Sequence, residues 1–272
     1  MSKVKVGLPV RLFATTAFPA VSKNDKLTKA RETMRETGWR VLPVVDSMES
    51  MKLLGMLYRV DVLRITSSRS EALVSNLMSE PPVVLTPEES LDSALDRMLA
   101  VDEWYAPIVS ESGSIVGVLG LENIIDYFLK KHPNKLQLPV KDHYTTGVVS
   151  VTPDDDIRSL WHLMLKRRYA GLPVVRASSR GDRILVGVIT QYDLLKRGFA
   201  RPELESESPP RRVRVREVMV TPAIGINYNA TLLEVATVIV SRNIGRVYVT
   251  DSKNRLLGVI DREDTVKTVL EV

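Results

Sequence analysis

The stretch Gly171 to Arg197, GLPVVRASSRGDRILVGVITQYDLLKR, reads as strand, turn, strand and helix, because turn residues separate two apolar, β-branched runs. Thr190 and Asp193 have the spacing of a capping box, in which each side chain satisfies a backbone N–H of the first helical turn. In a second interpretation, Gly187 lets another group approach the backbone, so that the helix start forms a small anion site. Asp193 would then face a neutral polar group such as a sugar diol.

The same pattern occurs four times along the chain, and the occurrences are called copies 1 to 4. Their closing acid or amide residues are Asp61, Asn123, Asp193 and Asp264. The threonine of copy 3 is replaced by Tyr58 in copy 1, by Gly120 in copy 2 and by Asp261 in copy 4. In copy 4, Val247 is interpreted as the residue that replaces the proline of the first strand. Such a repeat predicts that each copy must pack against a neighbour to bury its apolar face.

Four copies of an h-P-V-V strand followed by G-h-h-T-x-x-D, where h is an apolar residue, resemble the cystathionine β-synthase (CBS) domain, over nearly the whole chain. Two pairs of copies would make two Bateman modules. The resemblance implies an α/β (α+β) fold of four β-α-β-β-α units, packed sheet to sheet in pairs about a pseudo-twofold axis. It also implies a ligand-binding, regulatory protein with clefts that often hold adenosine-containing ligands, and not an enzyme.

A polar run around Pro133 predicts the boundary between the two modules, which we place at residues 1–140 and 141–272. The first module has 17 Lys+Arg and 17 Asp+Glu, and the second has 21 and 16, so the second carries the whole net charge of +5. A sequence pI near 9.3 is consistent with contact to an anionic partner, and a solvated charged surface, as in a thermophile, explains it as well.

Composition limits the compartment and the chemistry. With 272 residues and 44% hydrophobic content, the chain can bury two cores of ordinary domain size. It lacks an apolar run of the roughly 20 residues that a membrane span needs, and its N-terminal apolar run is too short for a secretory signal, so we expect a cytoplasmic protein. The absence of cysteine excludes disulfides and thiol nucleophiles. Two glutamines beside 71 charged residues favour a thermophilic source.

The inventory of chemical groups argues against catalysis. His132, His143 and His162 lack metal-ligand spacing, and the chain has no glycine-rich phosphate loop. The three aspartates after Thr152-Pro153 are interpreted as a first helical turn, where the helix dipole favours acids, and Thr86-Pro87 predicts a similar helix start in copy 2. We therefore expect no catalytic residue, no metal and no required cofactor.

By resemblance, the best-preserved cleft is that of copy 3. Thr190 would lie near a phosphate, Asp193 on ribose hydroxyls, and the backbone around residues 170–172 beside adenine. The ligand-binding residues expected from the resemblance are Thr190, Asp193, Ala170, Gly171, Leu172, Thr146 and Val148 on the entering strand, Arg242 and Arg246 for charge pairing with phosphate, and Asp61 and Asp264 in copies 1 and 4. The expected ligand is AMP, ADP or ATP, and a basic cleft disfavours the sulfonium of S-adenosylmethionine.

The ligand would control a partner, and two hypotheses stay open. One is an energy sensor that reports adenylate state to a protein in trans, with a homodimer also allowed. The other is an RNA- or ribosome-binding translation or stress factor of the hibernation type, modulated by nucleotide. It depends on Arg211, Arg212, Arg214 and Arg216, since a strand here would project three guanidinium groups on one face. A soluble, charged edge strand explains the same alternation of arginine and valine.

Overall fold

The computed structural model of the chain describes residues 6–65, 70–197 and 212–271, and over these residues the fold is α/β, as predicted. The strands are β1 (Val21–Ser22), β2 (Val41–Val45), β3 (Leu53–Tyr58), β4 (Tyr105–Val109), β5 (Ile115–Gly120), β6 (Gly171–Ala177), β7 (Arg183–Thr190), β8 (Gly225–Asn227), β9 (Arg246–Thr250) and β10 (Leu256–Asp261). The helices are α1 (Leu27–Thr37), α2 (Arg59–Val62), α3 (Leu91–Ala100), α4 (Leu121–Lys131), α5 (Ile157–Arg167), α6 (Gln191–Lys196), α7 (Val215–Val218), α8 (Leu232–Ser241) and α9 (Arg262–Glu271).

Each copy consists of a helix, an antiparallel hairpin and a second helix. The hairpins are β2–β3, β4–β5, β6–β7 and β9–β10, and each contains one register shift beside the glycine of the motif. In copies 1 and 4 a short parallel strand, β1 or β8, extends the sheet. The repeated sequence pattern therefore corresponds to a repeated structure.

The register of copy 4 corrects the predicted position of the missing proline. Pro107 pairs with Val118, one residue beyond the motif glycine, and the residue that pairs with the equivalent Val259 is Tyr248. Tyr248, and not Val247, therefore replaces the proline. Its side chain is buried, which raises the pKa of the phenol, and its hydroxyl has no hydrogen-bond partner among the described residues.

The chain divides into two compact units. We call Pro19–Glu80 with Val149–Ala223 the odd unit, since it holds the bodies of copies 1 and 3. The even unit holds the bodies of copies 2 and 4, and its described residues are 6–18, 81–148 and 224–271. Each unit has its own buried apolar cluster, in which side chains from both copies take part.

These units are not the predicted halves 1–140 and 141–272, because each unit takes segments from both sides of residue 140. The predicted halves are pairs of copies that pack sheet to sheet. The compact units are the parts of the chain with the densest internal packing. Helices account for this packing, since α4 packs on α8 and α9 in the even unit, and α1 packs on α2 and α6 in the odd unit. The division into two modules therefore stays a prediction.

A short segment before each copy, which we call its lead-in and which contains Thr15, Ser79, Thr145 or Val220, forms a backbone bridge with the hairpin of another copy. The backbone bridges are Thr15 with Val118, Ser79 with Met56, Thr145 with Val259, and Val220 with Val188. The lead-in of copy 1 thus extends the hairpin of copy 2, and the reverse holds as well. Copies 3 and 4 exchange their lead-ins in the same way.

Two predicted helix starts are wrong by four residues each. Thr86-Pro87 and Thr152-Pro153 lie in turns, and the helices begin later, at Leu91 and Ile157. The caps are Ser90, which accepts from Ser93 N–H, and Asp156, which accepts from Arg158 N–H at 2.8 Å. Only one of the three aspartates thus serves the helix. No helix in the described ranges has both the length and the apolar character that crossing a membrane requires.

Candidate functional site

The motif of copy 3 lies where β7 passes directly into α6. Thr190 N–H and its hydroxyl both donate to Oδ2 of Asp193, at 2.8 and 2.6 Å, and Asp193 N–H donates to Thr190 Oγ1 at 3.2 Å. The capping box expected from the spacing is therefore present. Both residues are only partly buried, so the pair remains accessible from solvent.

The loop that leads into β6 lies beside this pair. Gly171 is opposite Thr190 in the β6–β7 ladder, and a Cβ on Gly171 would lie 3.1 Å from the methyl group of Thr190. The N–H of Gln191 donates to the carbonyl of Ala170 at 3.0 Å. Leu172 is 2% exposed and belongs to the core, so it can offer only its backbone to a ligand. The predicted residues of the odd unit around copy 3 are therefore close together.

Gly187 does not leave room for a ligand, as its second interpretation required. A Cβ on Gly187 would lie 3.0 Å from Sδ of Met219 and 3.0 Å from the carbonyl oxygen of Val220. The group that approaches this backbone is thus the lead-in of copy 4. The close approach at Gly187 therefore serves strand pairing, and the anion site expected at the start of α6 stays a prediction.

In copy 1, Asp61 is already paired with cations. It is 7% exposed, and its Oδ1 lies 3.5 Å from Arg168 and 3.9 Å from Arg64. A ribose hydroxyl would have to compete with Arg168, which is the residue that ends α5 just before the copy 3 loop. Sequence reasoning missed this pair, because residues 61 and 168 lie in different copies.

The other predicted residues belong to the even unit. Thr146 is exposed, directly after the bridge of Thr145 to Val259, and Val148 is partly buried. Arg242 is exposed at the end of α8. These three residues therefore belong to a different compact unit from Thr190 and Asp193 of copy 3.

Arg246 already has charged and aromatic neighbours within the even unit. Arg246 lies opposite Asp261 in the β9–β10 ladder. Burial raises the pKa of Asp261, and the positive charge of Arg246 offsets part of this rise. Its guanidinium carbon lies 5.9 Å from the centre of the Trp104 ring. Trp104 in turn donates from Nε1 to Glu263 at 3.2 Å. Sequence reasoning missed Trp104 and Glu263, which no motif singles out.

Carboxyl groups cluster around Asp264, the predicted ribose residue of copy 4. Burial, and then repulsion from Asp261, raise the pKa of Asp264 to about 6. A hydrogen bond with Glu263, together with burial, raises the pKa of Asp102 to about 6. Burial opposes ionisation of Glu263 as well, but hydrogen bonds with Asp102, Lys267 and Trp104 outweigh it and lower the pKa. The described residues contain no group of three or more acids and histidines arranged to hold a metal ion.

This cluster should make stability depend on pH. Unfolded aspartates titrate near pH 4, so between about pH 4 and 6 the folded protein keeps protons that the unfolded chain has lost. The free energy of unfolding therefore falls as the pH rises through about 6. In thermal unfolding followed by circular dichroism, we expect a lower Tm at pH 7.5 than at pH 5.5. Asp264→Asn should reduce this difference, and a variant that keeps all of it would contradict the assignment.

The predicted arginine strand is wrong. Arg214 caps α7, its N–H donates to Oε1 of Glu217 at 2.8 Å, and the chain continues as a helix from Val215. Arg214 donates to the carbonyl of Asp154 at 2.5 Å, and Arg216 forms an ion pair with the same residue. The expected row of guanidinium groups therefore does not form. Arg212 is exposed, and Arg211 lies outside the described residues.

Charge follows the compact units more closely than it follows the two halves of the sequence. The described residues of the odd unit contain 21 Lys+Arg and 14 Asp+Glu, a net charge of +7. Those of the even unit contain 12 and 16, a net charge of −4. The unit that carries Thr190 and Asp193 is thus the basic one.

The repeated strand–helix motif and the exchanged lead-ins define a small α/β repeat, and a family comparison identifies it. The chain belongs to the CBS domain family, whose model matches residues 10–68, 74–130, 140–199 and 215–271. The expected family is therefore confirmed for all four copies.

Two proteins of Methanocaldococcus jannaschii are similar to this chain over most of its length. MJ1225 is 25% identical over 275 residues, which cover 93% of this chain and 94% of MJ1225. MJ1404 is 28% identical over 275 residues, which cover 97% of this chain but only 62% of MJ1404.

Solved structures confirm the fold. The crystal structure of MJ1225, a protein proposed to be an archaeal homologue of γ-AMPK, superposes with a TM-score of 0.82 at 24% identity, over 96% of this chain and 99% of MJ1225. A conserved protein of Pyrococcus horikoshii gives a TM-score of 0.65 at 22% identity, over 96% of this chain and all of the other. At these identities the likeness is one of fold.

Proposed function

We propose that this protein is a non-catalytic regulator that binds an adenine nucleotide at copy 3 and signals its occupancy to a partner in trans. The observation that carries the proposal is the accessible Thr190–Asp193 pair beside the loop of Ala170 and Gly171. Asp193 uses Oδ2 for the cap, which leaves Oδ1 as the oxygen to accept from a ribose hydroxyl. The cap and the binding role are therefore compatible.

Electrostatics favour a phosphorylated ligand over a cationic one. The net charge of +7 on the described residues of the odd unit gives a field that attracts anions. AMP, ADP and ATP fit this field, whereas the sulfonium of S-adenosylmethionine is disfavoured. The relationship proposed for MJ1225 to γ-AMPK supports a regulatory role in sensing energy state, which we extend to this chain as part of the proposal.

The most informative variant for testing this site is Asp193→Asn, because asparagine, Asn123, is the equivalent residue of copy 2. There Asn123 Oδ1 accepts from the N–H of Gly120 at 2.8 Å, so an asparagine can cap this helix start. The variant should keep its Tm while it loses the charged acceptor of the ribose. We expect its Kd for AMP to rise by about 10- to 100-fold, as for the loss of a hydrogen bond to a charged group.

Isothermal titration of wild type and Asp193→Asn with AMP, ADP, ATP and S-adenosylmethionine measures this effect. Glu234→Gln serves as a control, since it also removes the charge of a capping-box acid, at the start of α8 in the even unit. Equal affinity of wild type and Asp193→Asn for every ligand would remove Asp193 from the site. A wild type that binds none of these ligands would refute the proposed function.

A second candidate function is contact with RNA backbone, and the basic odd unit is the observation that favours it. Phosphate contacts by arginine and lysine release counterions, so such binding weakens steeply as salt rises. We expect the protein to be retained on ribosomal RNA at low salt and released as salt increases. Because Arg216 is paired with Asp154, the test variant reverses exposed Arg167 and Lys166 to glutamate. No retention at low salt would exclude RNA binding and leave nucleotide sensing as the proposed function.

A further inference from the structure

The first residue of the second helix has the same backbone contact in every copy. Its N–H donates to the carbonyl of the last loop residue before the hairpin, over 2.9 to 3.2 Å. The donor and acceptor residues are Arg59 and Arg40, Leu121 and Trp104, Gln191 and Ala170, and Arg262 and Gly245. Because this contact recurs in all four copies, the helix start and the loop are fixed to each other by the fold.

In three copies the side chain of this residue extends the contact to the preceding carbonyl. Gln191 Nε2 donates to the carbonyl of Tyr169 at 2.9 Å. Arg59 Nη2 donates to that of Trp39 at 2.7 Å, and Arg262 Nε donates to that of Ile244 at 3.2 Å. Gln191, Arg59 and Arg262 are 5%, 8% and 0% exposed, so these polar side chains are buried. Burying such groups is costly unless they are hydrogen-bonded, and here each bond goes to the same place in the loop.

Copy 2 shows what happens when the side-chain donor is missing. Its residue at this position is Leu121, which is fully buried in the core. The loop of copy 2 is held differently, because Oε1 of the buried Glu103 accepts from the N–H groups of Trp104 and Tyr105 at 3.0 and 3.2 Å. Leucine therefore fits at this position of the fold, but it leaves the loop to be ordered by another group.

We propose that Gln191 is a positioning residue for the nucleotide site of copy 3, an inference that rests on the proposed function. Gln191 lies between the two sides of that site, since it follows Thr190 and binds both Tyr169 and Ala170. It therefore sets the distance between the phosphate-and-ribose side and the loop proposed to lie beside adenine. The residue touches the loop and not the ligand, so it acts by holding the binding geometry ready.

The substitutions that test this inference are the residues found at the equivalent position in the other copies. Gln191→Leu introduces the residue of copy 2 and removes the bond to Tyr169, while Gln191→Arg introduces the donor of copies 1 and 4. We expect Gln191→Leu to raise the Kd for AMP by about 5- to 10-fold, and Gln191→Arg to restore most of the affinity. Ile157→Val controls for a general loss of stability. It changes a core residue at the start of α5, whereas the loop follows the end of that helix.

Titration with AMP is combined with hydrogen exchange of the segment 168–172, which reports on the loop without any ligand. Gln191→Leu should exchange faster in this segment than wild type and Ile157→Val. If wild type binds AMP and Gln191→Leu binds equally well, the inference is overturned while the proposed function stands. If wild type binds no nucleotide, the proposed function fails, and the role of Gln191 in ordering the loop is decided by the exchange rates alone, with unchanged rates refuting it.

Discussion

Gly258→Ala should destabilise the even unit more than any other glycine-to-alanine change in the described part of the chain. A Cβ on Gly258 would lie 2.3 Å from Cδ2 of Tyr144 and 2.4 Å from the carbonyl oxygen of Thr145. The second neighbour is backbone, held by the two hydrogen bonds that join Thr145 to Val259. The methyl group therefore has to push the lead-in of copy 3 out of the sheet.

We expect Gly258→Ala to lower the free energy of unfolding by about 3 kcal/mol, the upper part of the range for overpacking. For a unit of this size the midpoint in thermal unfolding should fall by about 10 °C. Gly117→Ala is the matched control, because Gly117 has the same position in copy 2 of the same unit. There a Cβ would lie 3.0 Å from the Cβ of Ala14 and 3.6 Å from the backbone oxygen of Thr15. An equal effect of both variants would contradict this explanation.

Removal of the Arg262 guanidinium should have a similarly large effect. The side chain is fully buried, and Nη1 lies 2.6 Å from Glu122 Oε2 and donates to the hydroxyl of Tyr105 at 2.6 Å. Further bonds reach Asn243 Oδ1 at 3.1 Å and the carbonyl of Ile244 at 3.2 Å. These contacts join α9 to copy 2 and to the loop before β9. Arg262 was not selected from the sequence, because its partners lie in distant segments.

Arg262→Met keeps much of the volume but leaves Glu122 and several polar groups without their partner. We expect the free energy of unfolding in urea to fall by about 3 kcal/mol, as for breaking a buried ion pair. The double variant Arg262→Met/Glu122→Gln should recover part of this loss, since it also removes the unpaired carboxylate. A single variant as stable as wild type would show that the buried guanidinium contributes nothing to the even unit.

Local patterns predicted the repeated elements well and their long-range partners poorly. The hairpins and second helices follow from strand, glycine and cap signals that lie within one copy. The occupants of the close approaches at Gly187 and Gly258 are lead-ins from other copies, which no local pattern can identify. The same limit applies to Arg168, which pairs with Asp61 from another copy.

Some local patterns also have two solutions. Threonine followed by proline is typical of a helix start and of a turn with proline at its second position, and Thr86 and Thr152 take the turn. Alternating arginine and valine predicted a strand, yet Glu217, three residues after Arg214, favours a capped helix. In copy 4, the register shift beside Gly258 places Tyr248 opposite Val259, one residue away from the predicted Val247.

The sequence predicted the part of the candidate site that lies within one copy. Thr190, Asp193, Ala170, Gly171 and Leu172 are near one another because a hairpin and its following helix bring them together within one copy. The cap that the spacing predicted is present. The sequence did not indicate Gln191, whose side chain donates a hydrogen bond to the loop beside the site. A glutamine inside T-x-x-D carries no signal of its own, and the proposed role depends on contacts that the equivalent residues of the other copies share.

A crystal structure of the wild-type protein grown with AMP is the most direct test of the central claim. The account predicts density for one nucleotide at copy 3, with a ribose hydroxyl within hydrogen-bond distance of Asp193 and the phosphate near Thr190. Crystals grown in millimolar AMP that contain no density at this site, or a nucleotide bound only elsewhere on the protein, would contradict it.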